Sequence, residues 1–399
     1  MRMRRRSQVL RRAVALGSVA LLLGAMTPAA AVDEGHAHLQ RPSIGASRSL
    51  ETASAADRAM PLRVTLAFTG DFLATHATWE AARRYAGGSG YDYRPMLARL
   101  RPIVSSVDVA ICHLETPLTG KGVALSDYPR YAVPHQLAYA IRRAGYEGCS
   151  TASNHSLDRG AAGIRTTLGW LDRVGLGHTG TARSAHERWK TTHYLVGNVK
   201  IAHLSFTGSF NGLVPSEPWR ANRTDLAQIV EDARRARRRG ADIVVLSLHW
   251  GPEHQHVPVT EQRNLAHQLL RSGAIDLIVG HHAHVVQTIR RPEGHWVAYG
   301  LGNSLSGMTA AMFSPGVQDG MVLLVVFERG AHGWHVDKVR YSPTWVEPYR
   351  WVVRVIGPAL EARRLPAWVL DQLRASWRRT VGYVDAKRLG VLPIRRSRW

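Results

Sequence analysis

The stretch Ile275-Asp276-Leu277-Ile278-Val279-Gly280-His281-His282-Ala283-His284 joins an apolar run of strand length to three imidazoles within four residues. A buried strand with such a cluster at its end predicts a ligand-bearing loop, because imidazoles are costly to bury without a cation or an opposite charge beside them. In α/β folds functional groups gather where strands end. Other segments end the same way: Val64–Phe68 leads to Gly70-Asp71, Val107–Cys112 to His113-Leu114-Glu115, the segment after Cys149 to Ser153-Asn154-His155, and Ile243–Leu248 to His249-Trp250-Gly251.

Singly these signals are weak. Gly-Asp makes a turn, Glu115 has many arginines to pair with, Asn154 can cap the helix that follows, and His249 can be a hydrogen-bonded core residue. Taken in order, they offer mixed nitrogen and oxygen donors. Imidazole suits zinc, manganese or iron, and Asp71, Glu115 and the Asn154 amide oxygen are harder donors that can complete or bridge two adjacent sites. The pattern predicts a hydrolytic centre with two divalent ions. His155, beside Asn154, is expected to protonate a leaving oxygen or to stabilise the transition state, with Asp158 orienting it.

Between the strand-length runs lie helical patterns: Trp79–Tyr85, Tyr93–Arg101, Gln136–Ala144, Gly163–Val174, Leu226–Arg239 and Glu261–Arg271. With Ile201–Phe206 as a further buried strand, this interleaving predicts an α/β fold with a substantially parallel sheet. Trp296–Tyr299, Met321–Phe327 and Trp334–Tyr341 follow one another without helices, so antiparallel strands are expected there. Two packed sheets with helices outside accommodate both patterns.

The chain has 399 residues, 45% apolar and 21% charged, with a net charge of +22. That composition excludes a wholly disordered or fibrous protein. Residues 1–31 contribute +6 and residues 350–399 contribute +9, so only +7 is left for the middle of the chain. Charge so placed at the ends argues against nucleic-acid binding. Arg2 to Arg12, the apolar run Ala13–Met26 and Ala29-Ala30-Ala31 read as an export signal cleaved before Val32. An uncleaved anchor is the alternative, although fourteen residues span only about 21 Å of a roughly 30 Å hydrocarbon layer. Residues 32–62 read as a poorly ordered linker, 63–350 as the main domain, and 351–399 as a basic, Trp-containing, partly helical extension. An extracytoplasmic protein, secreted or held at the cell surface, is expected. Cys112 and Cys149 are then a disulfide or two buried thiols.

The succession Gly70-Asp71, Leu114-Glu115-Thr116-Pro117, Asn154-His155-Ser156-Leu157-Asp158-Arg159-Gly160, Leu248-His249-Trp250-Gly251 and Gly280 to Gln287 resembles the CapA capsule-synthesis family. Tyr299-Gly300-Leu301-Gly302-Asn303 and Pro343-Thr344-Trp345-Val346 extend the likeness over roughly 63–350. The resemblance implies a calcineurin-like metallophosphoesterase domain, a four-layer α/β/β/α sandwich with mixed sheets. It implies Asp71, Glu115, Asn154, His249, His282 and His284 as metal ligands, with His281 competing for the place of His282, and His155 as the catalytic histidine. It also implies a link to capsular poly-γ-glutamate, and so an anionic surface polymer or a phosphate ester as substrate and a capsule-synthesis membrane complex as partner. Two features depart from the phosphoesterase pattern: Asp71 is followed by Phe72 and Leu73 rather than Asp-x-His, and Glu115 stands where a second Asp is usual. A non-catalytic module that positions the anionic polymer is the competing reading.

Overall fold

The structure is a computed structural model that describes residues 62–362 and 364–395. The expected export signal and all but the last residue of the linker lie outside the described residues. In chain order the strands are β1 (Arg63–Leu73), β2 (Val109–Leu114), β3 (Gly148–Ser150), β4 (Gly177–Thr179), β5 (Thr192–Val196), β6 (Val199–Thr207), β7 (Ile243–His249), β8 (Leu277–His281), β9 (Ile289–Arg290), β10 (Trp296–Ala298), β11 (Asn303–Ser306), β12 (Asp319–Gly330), β13 (Gly333–Glu347), β14 (Val352–Val355) and β15 (Leu392–Pro393). They form two mixed sheets. The larger runs β14-β13-β12-β1-β2-β3-β4, with β11 also on β1 and β15 on β13, and the smaller runs β5-β6-β7-β8-β10-β9.

The layers follow from side-chain alternation. Leu66, Phe68, Val109 and Ile111 of the large sheet meet Ile201, Ile243, Val245, Leu277 and Val279 of the small one in a core between the sheets. The intervening residues Ala67, Ala110 and Cys112 face outward under Trp79, Leu137, Ile141, Ile164 and Leu168 of the flanking helices. On the far side, Leu204, Val244, Leu246 and Ile278 pack on Ile229, Ala233, Leu269 and Leu270. Because both faces of each sheet are covered, strands read as continuous apolar runs rather than alternating ones. The architecture is the expected four-layer α/β/β/α sandwich.

Details differ from the sequence reading. The helix expected over Tyr93–Arg101 is two single turns, Arg94–Leu97 and Arg101–Val104, each with a proline near its start. Pro102 lacks the N–H that a continuous helix would need and restricts the residue before it, so a new turn begins there. β10 pairs antiparallel with β9, as expected, and on its other side it pairs parallel with β8. The ligand loop and β9 bring the chain back, so no crossover helix is needed. β12 and β13 are antiparallel, as expected.

Beyond position 350 the chain adds β14 to β13, runs through the helices Ile356–Ala362 and Ala367–Val384, and returns as β15. Trp351 is buried, and Trp377 packs near Trp345, Ile356, Val369 and Leu373. Cys112 and Cys149 are Cα partners on β2 and β3 and form a disulfide. No helix of the described residues is long and apolar enough to cross a membrane.

Candidate metal centre

β1 and β2 run parallel in the large sheet, as do β7 and β8 in the small one, so their carboxyl ends open on one edge of the sandwich. Gly70 and Gly280 sit just before the ends of β1 and β8, against the segment Tyr299–Gly302. A Cβ on Gly70 would lie 1.9 Å from the Gly302 carbonyl oxygen, and one on Gly280 would lie 1.8 Å from that of Tyr299. Only glycine permits this approach. The next residue in each strand, Asp71 or His281, is thereby brought to the edge.

Asp71 is buried and is approached from three directions. His281 Nδ1 lies 3.1 Å from Oδ1, the His282 backbone N–H donates to Oδ2 at 3.0 Å, and His284 Nδ1 lies 3.3 Å from Oδ2. Burial pushes this carboxyl up, but the hydrogen bonds from His281 and His284 outweigh it and hold Asp71 well below the usual carboxylate range. His282 and His284 both adopt left-handed backbone, with φ of 86° and 55°. That conformation is costly for a residue with a Cβ and clusters at functional sites.

Glu115, just past β2, is buried with neither carboxylate oxygen hydrogen-bonded. Its nearest basic nitrogens are His284 Nε2 at 3.5 Å and His249 Nε2 at 3.9 Å. Burial pushes its carboxyl well above the usual range. Burial also lowers the His284 imidazole, but the carboxylates of Glu115 and Asp71 push it up to about 10. His249 and His113 are held well below the ordinary imidazole value by burial and by neighbouring rings, and His282 falls to about 4 for the same reasons. His249 Nε2 is 2.9 Å from the Asn154 amide oxygen.

All seven residues expected as ligands, His281 included, therefore meet at one place. His113, the Cα partner of Asp71 across β1 and β2, joins them although it was not among the expected ligands. Its ring stacks on His281 with centroids 4.1 Å apart, and its Nε2 is 2.9 Å from His249 Nδ1. Asp71, His113 and His281 bring one donor atom each within 4.8 Å of one another, and Glu115, His282 and His284 do the same. The missed signal was the spacing of two between His113 and Glu115, which puts both on one side of an extended chain. Asn303 was also missed as a site residue. Its amide donates to Val317 O at 2.8 Å and its Oδ1 lies 3.0 Å from His284 Nδ1.

The donor set fits divalent ions. A buried carboxylate with no hydrogen bond costs several kcal/mol unless a cation offsets it, and His282 Nδ1 is buried and unpartnered as well. His155 and Asp158 stand beside this cluster at a cavity of about 390 Å³ that Asn154, Arg130, Asn211 and Glu253 also line. Asp158 Oδ2 accepts from His155 Nδ1 at 2.8 Å and from the Tyr131 backbone N–H at 2.7 Å. The Tyr131 ring meets His155 edge-on. These contacts set the ring's angle and place the proton on Nδ1.

Residues 65–308 match the model of the bacterial capsule synthesis protein family PGA_cap. The chain belongs to this family. The capsule biosynthesis protein CapA of Bacillus anthracis is 27% identical over 255 residues, covering 60% of this chain and 59% of that protein. The PGA biosynthesis protein CapA of Bacillus subtilis is 27% identical over 253 residues, covering 60% of this chain and 62% of that protein. The chain thus matches about three fifths of the length of these relatives. Among solved structures, the calcineurin-like phosphoesterase YfkN from Bacillus subtilis aligns with a TM-score of 0.40 at 13% identity, covering 81% of this chain and 99% of that one.

Proposed function

We propose that this PGA_cap protein is an exported, metal-dependent hydrolase of the phosphoesterase type that acts in the production of a capsular, poly-γ-glutamate-like polymer. The observation that carries the proposal is the Glu115 carboxylate of the large sheet, buried and without a hydrogen bond beside the His284 and His249 imidazoles of the small sheet. Asp71, Glu115, Asn154, His249, His282 and His284 would hold two divalent ions, manganese, zinc or iron, with His281 and His113 as further donors. Such ions, when bound, polarise a phosphoryl oxygen and activate water as a nucleophile.

The remaining chemistry belongs to the protein's own side chains. Asp158 keeps one proton on His155 Nδ1, so the proton that passes to the leaving oxygen is a second one, taken up at Nε2 with the carboxylate of Asp158 stabilising the imidazolium. The cavity wall supplies an amide at Asn211, a cation at Arg130 and a carboxylate at Glu253 to orient a polar substrate. Export is supported by the signal pattern of residues 1–31 and by the Cys112–Cys149 disulfide, a bond that persists in oxidising compartments. The substrate would be a phosphate ester or a bond in the surface polymer, met at a capsule-synthesis membrane complex.

Metal content by mass spectrometry and turnover of bis(p-nitrophenyl) phosphate test this on the purified protein. His249→Ala is expected to lose metal and turnover together. If that variant keeps both, the hydrolase reading is wrong.

A further inference from the structure

The helices Ile356–Ala362 and Ala367–Val384 enclose a surface cleft of about 550 Å³, apart from the residues assigned to the metal centre. Arg374, Trp377 and Arg378 line it from one helix, at the i, i+3, i+4 spacing that shares a face. The adjoining face of that helix, with Val369, Leu373, Ser376 and Thr380, is buried. Arg395 closes the cleft, its guanidinium 5.4 Å from the centre of the Trp377 ring. This placement is built into the fold at Gly357, where a Cβ would lie 2.5 Å from the Arg395 carbonyl oxygen and 2.7 Å from that of Ile394. Only glycine lets the returning chain cross the helix so closely.

The charge is unbalanced. Arg374 shares an exposed pair with Asp371 at 2.7 Å, but among the described residues no carboxylate lies within ion-pair distance of Arg378 or Arg395. Glu361 is the one acidic residue on the wall. The helix is held from rotating by Arg379, whose guanidinium takes both oxygens of buried Asp319 at 2.7 and 2.8 Å. Further along the same helix, Tyr383 stacks on His256 at 3.5 Å, in the loop that carries Glu253 to the cavity beside His155. At 1.5 Å per residue, Arg378 and Tyr383 are roughly 8 Å apart along the axis.

We propose that this Arg-Trp cleft is a second binding site, for the carboxylates of an extended polyanionic chain, and that it holds the surface polymer beside the metal centre. The proposal rests on the polymer reading of the function. Planar guanidiniums pair with carboxylates through two parallel hydrogen bonds, and Trp377 gives the backbone between charges an apolar surface. A row of cations that the fold leaves partly unpaired matches a ligand with many carboxylates better than a single small anion.

The test is binding of a fluorescein-labelled poly-γ-glutamate oligomer, read by anisotropy on the full protein in chelator. The wild type is expected to bind, with affinity falling as salt rises. Reversing Arg374→Glu and Arg378→Glu together should weaken binding by about tenfold or more. The control Arg234→Glu, on the helix Leu226–Arg238, should leave binding unchanged. All three substitutions are at exposed positions, and a melting curve checks folding. Absence of binding, equal loss in the control, or binding only to phosphatidylserine vesicles would overturn the proposal. Because binding is read in chelator, a protein that binds but does not hydrolyse keeps this cleft and loses the hydrolase reading, and the converse loses the cleft alone.

Discussion

Replacing Asn303 with leucine should weaken metal binding without touching an expected ligand. The Asn303 side-chain N–H donates to Val317 O at 2.8 Å and reaches toward His284 O at 3.4 Å, so the amide can be oriented only one way. Its oxygen therefore faces His284 Nδ1 at 3.0 Å and turns Nε2 toward Glu115, 3.5 Å away. Asn303→Leu nearly conserves volume but leaves the Val317 carbonyl without that donor and His284 with only Asp71 to orient it. Two buried groups losing partners at about 1–3 kcal/mol each predict destabilisation of roughly 2–4 kcal/mol, allowing for relaxation. Loss of the group that orients a ligand imidazole predicts metal affinity lower by about 10- to 100-fold. Urea unfolding in chelator measures the first, and competition with a fluorescent chelator measures the second. A folded Asn303→Leu protein with wild-type metal affinity would refute the argument that this amide sets the ring.

His155→Ala should keep metal content and lose about 10²- to 10⁴-fold in turnover if Nε2 transfers a proton, checked by steady-state kinetics beside metal analysis. Burial raises the Glu115 carboxyl above its unfolded value, so its contribution to metal-free stability is full at acidic pH and is lost as pH rises through the raised folded value. Glu115→Gln should therefore make the metal-free protein more stable at neutral pH and flatten that slope, while weakening metal binding; denaturant titrations at several pH values in chelator decide it. Opening the Cys112–Cys149 disulfide as a paired Ser substitution should cost about 4 kcal/mol by the loop-entropy relation at a separation of 37 residues, read from the shift in urea midpoint.

The sandwich was legible because strands covered on both faces leave unbroken apolar runs. Ile243–Leu248 was read almost as it stands in β7, and the helix Gln136–Ala144 was read at its observed bounds. β3 and β4 were not legible, since three residues are too few to show any period. At the centre, each expected ligand could be found from its strand end. His113 lay in the same strand-end segment as Glu115, but nothing in that segment marked it as a partner of Asp71. Its place beside Asp71, and that of Asn303 on the other side, are facts of register between strands distant in sequence. The same holds for β14 and β15, which join the large sheet only because β13 offers them partners.

The seating of Tyr299–Gly302 on both Gly70 and Gly280 works as a rivet through the seam of the sandwich. One short segment is pinned to the tip of a strand in each sheet, at spacings that leave no slack for a methyl group. The two sheets that bring the expected ligands together are thereby tied at their tips, and under the proposed function any opening of the cavity falls to the surface loops around His155 and Glu253. Selectivity in this protein is then expected to change through replacements in those loops, with the pinned frame beneath them unaltered.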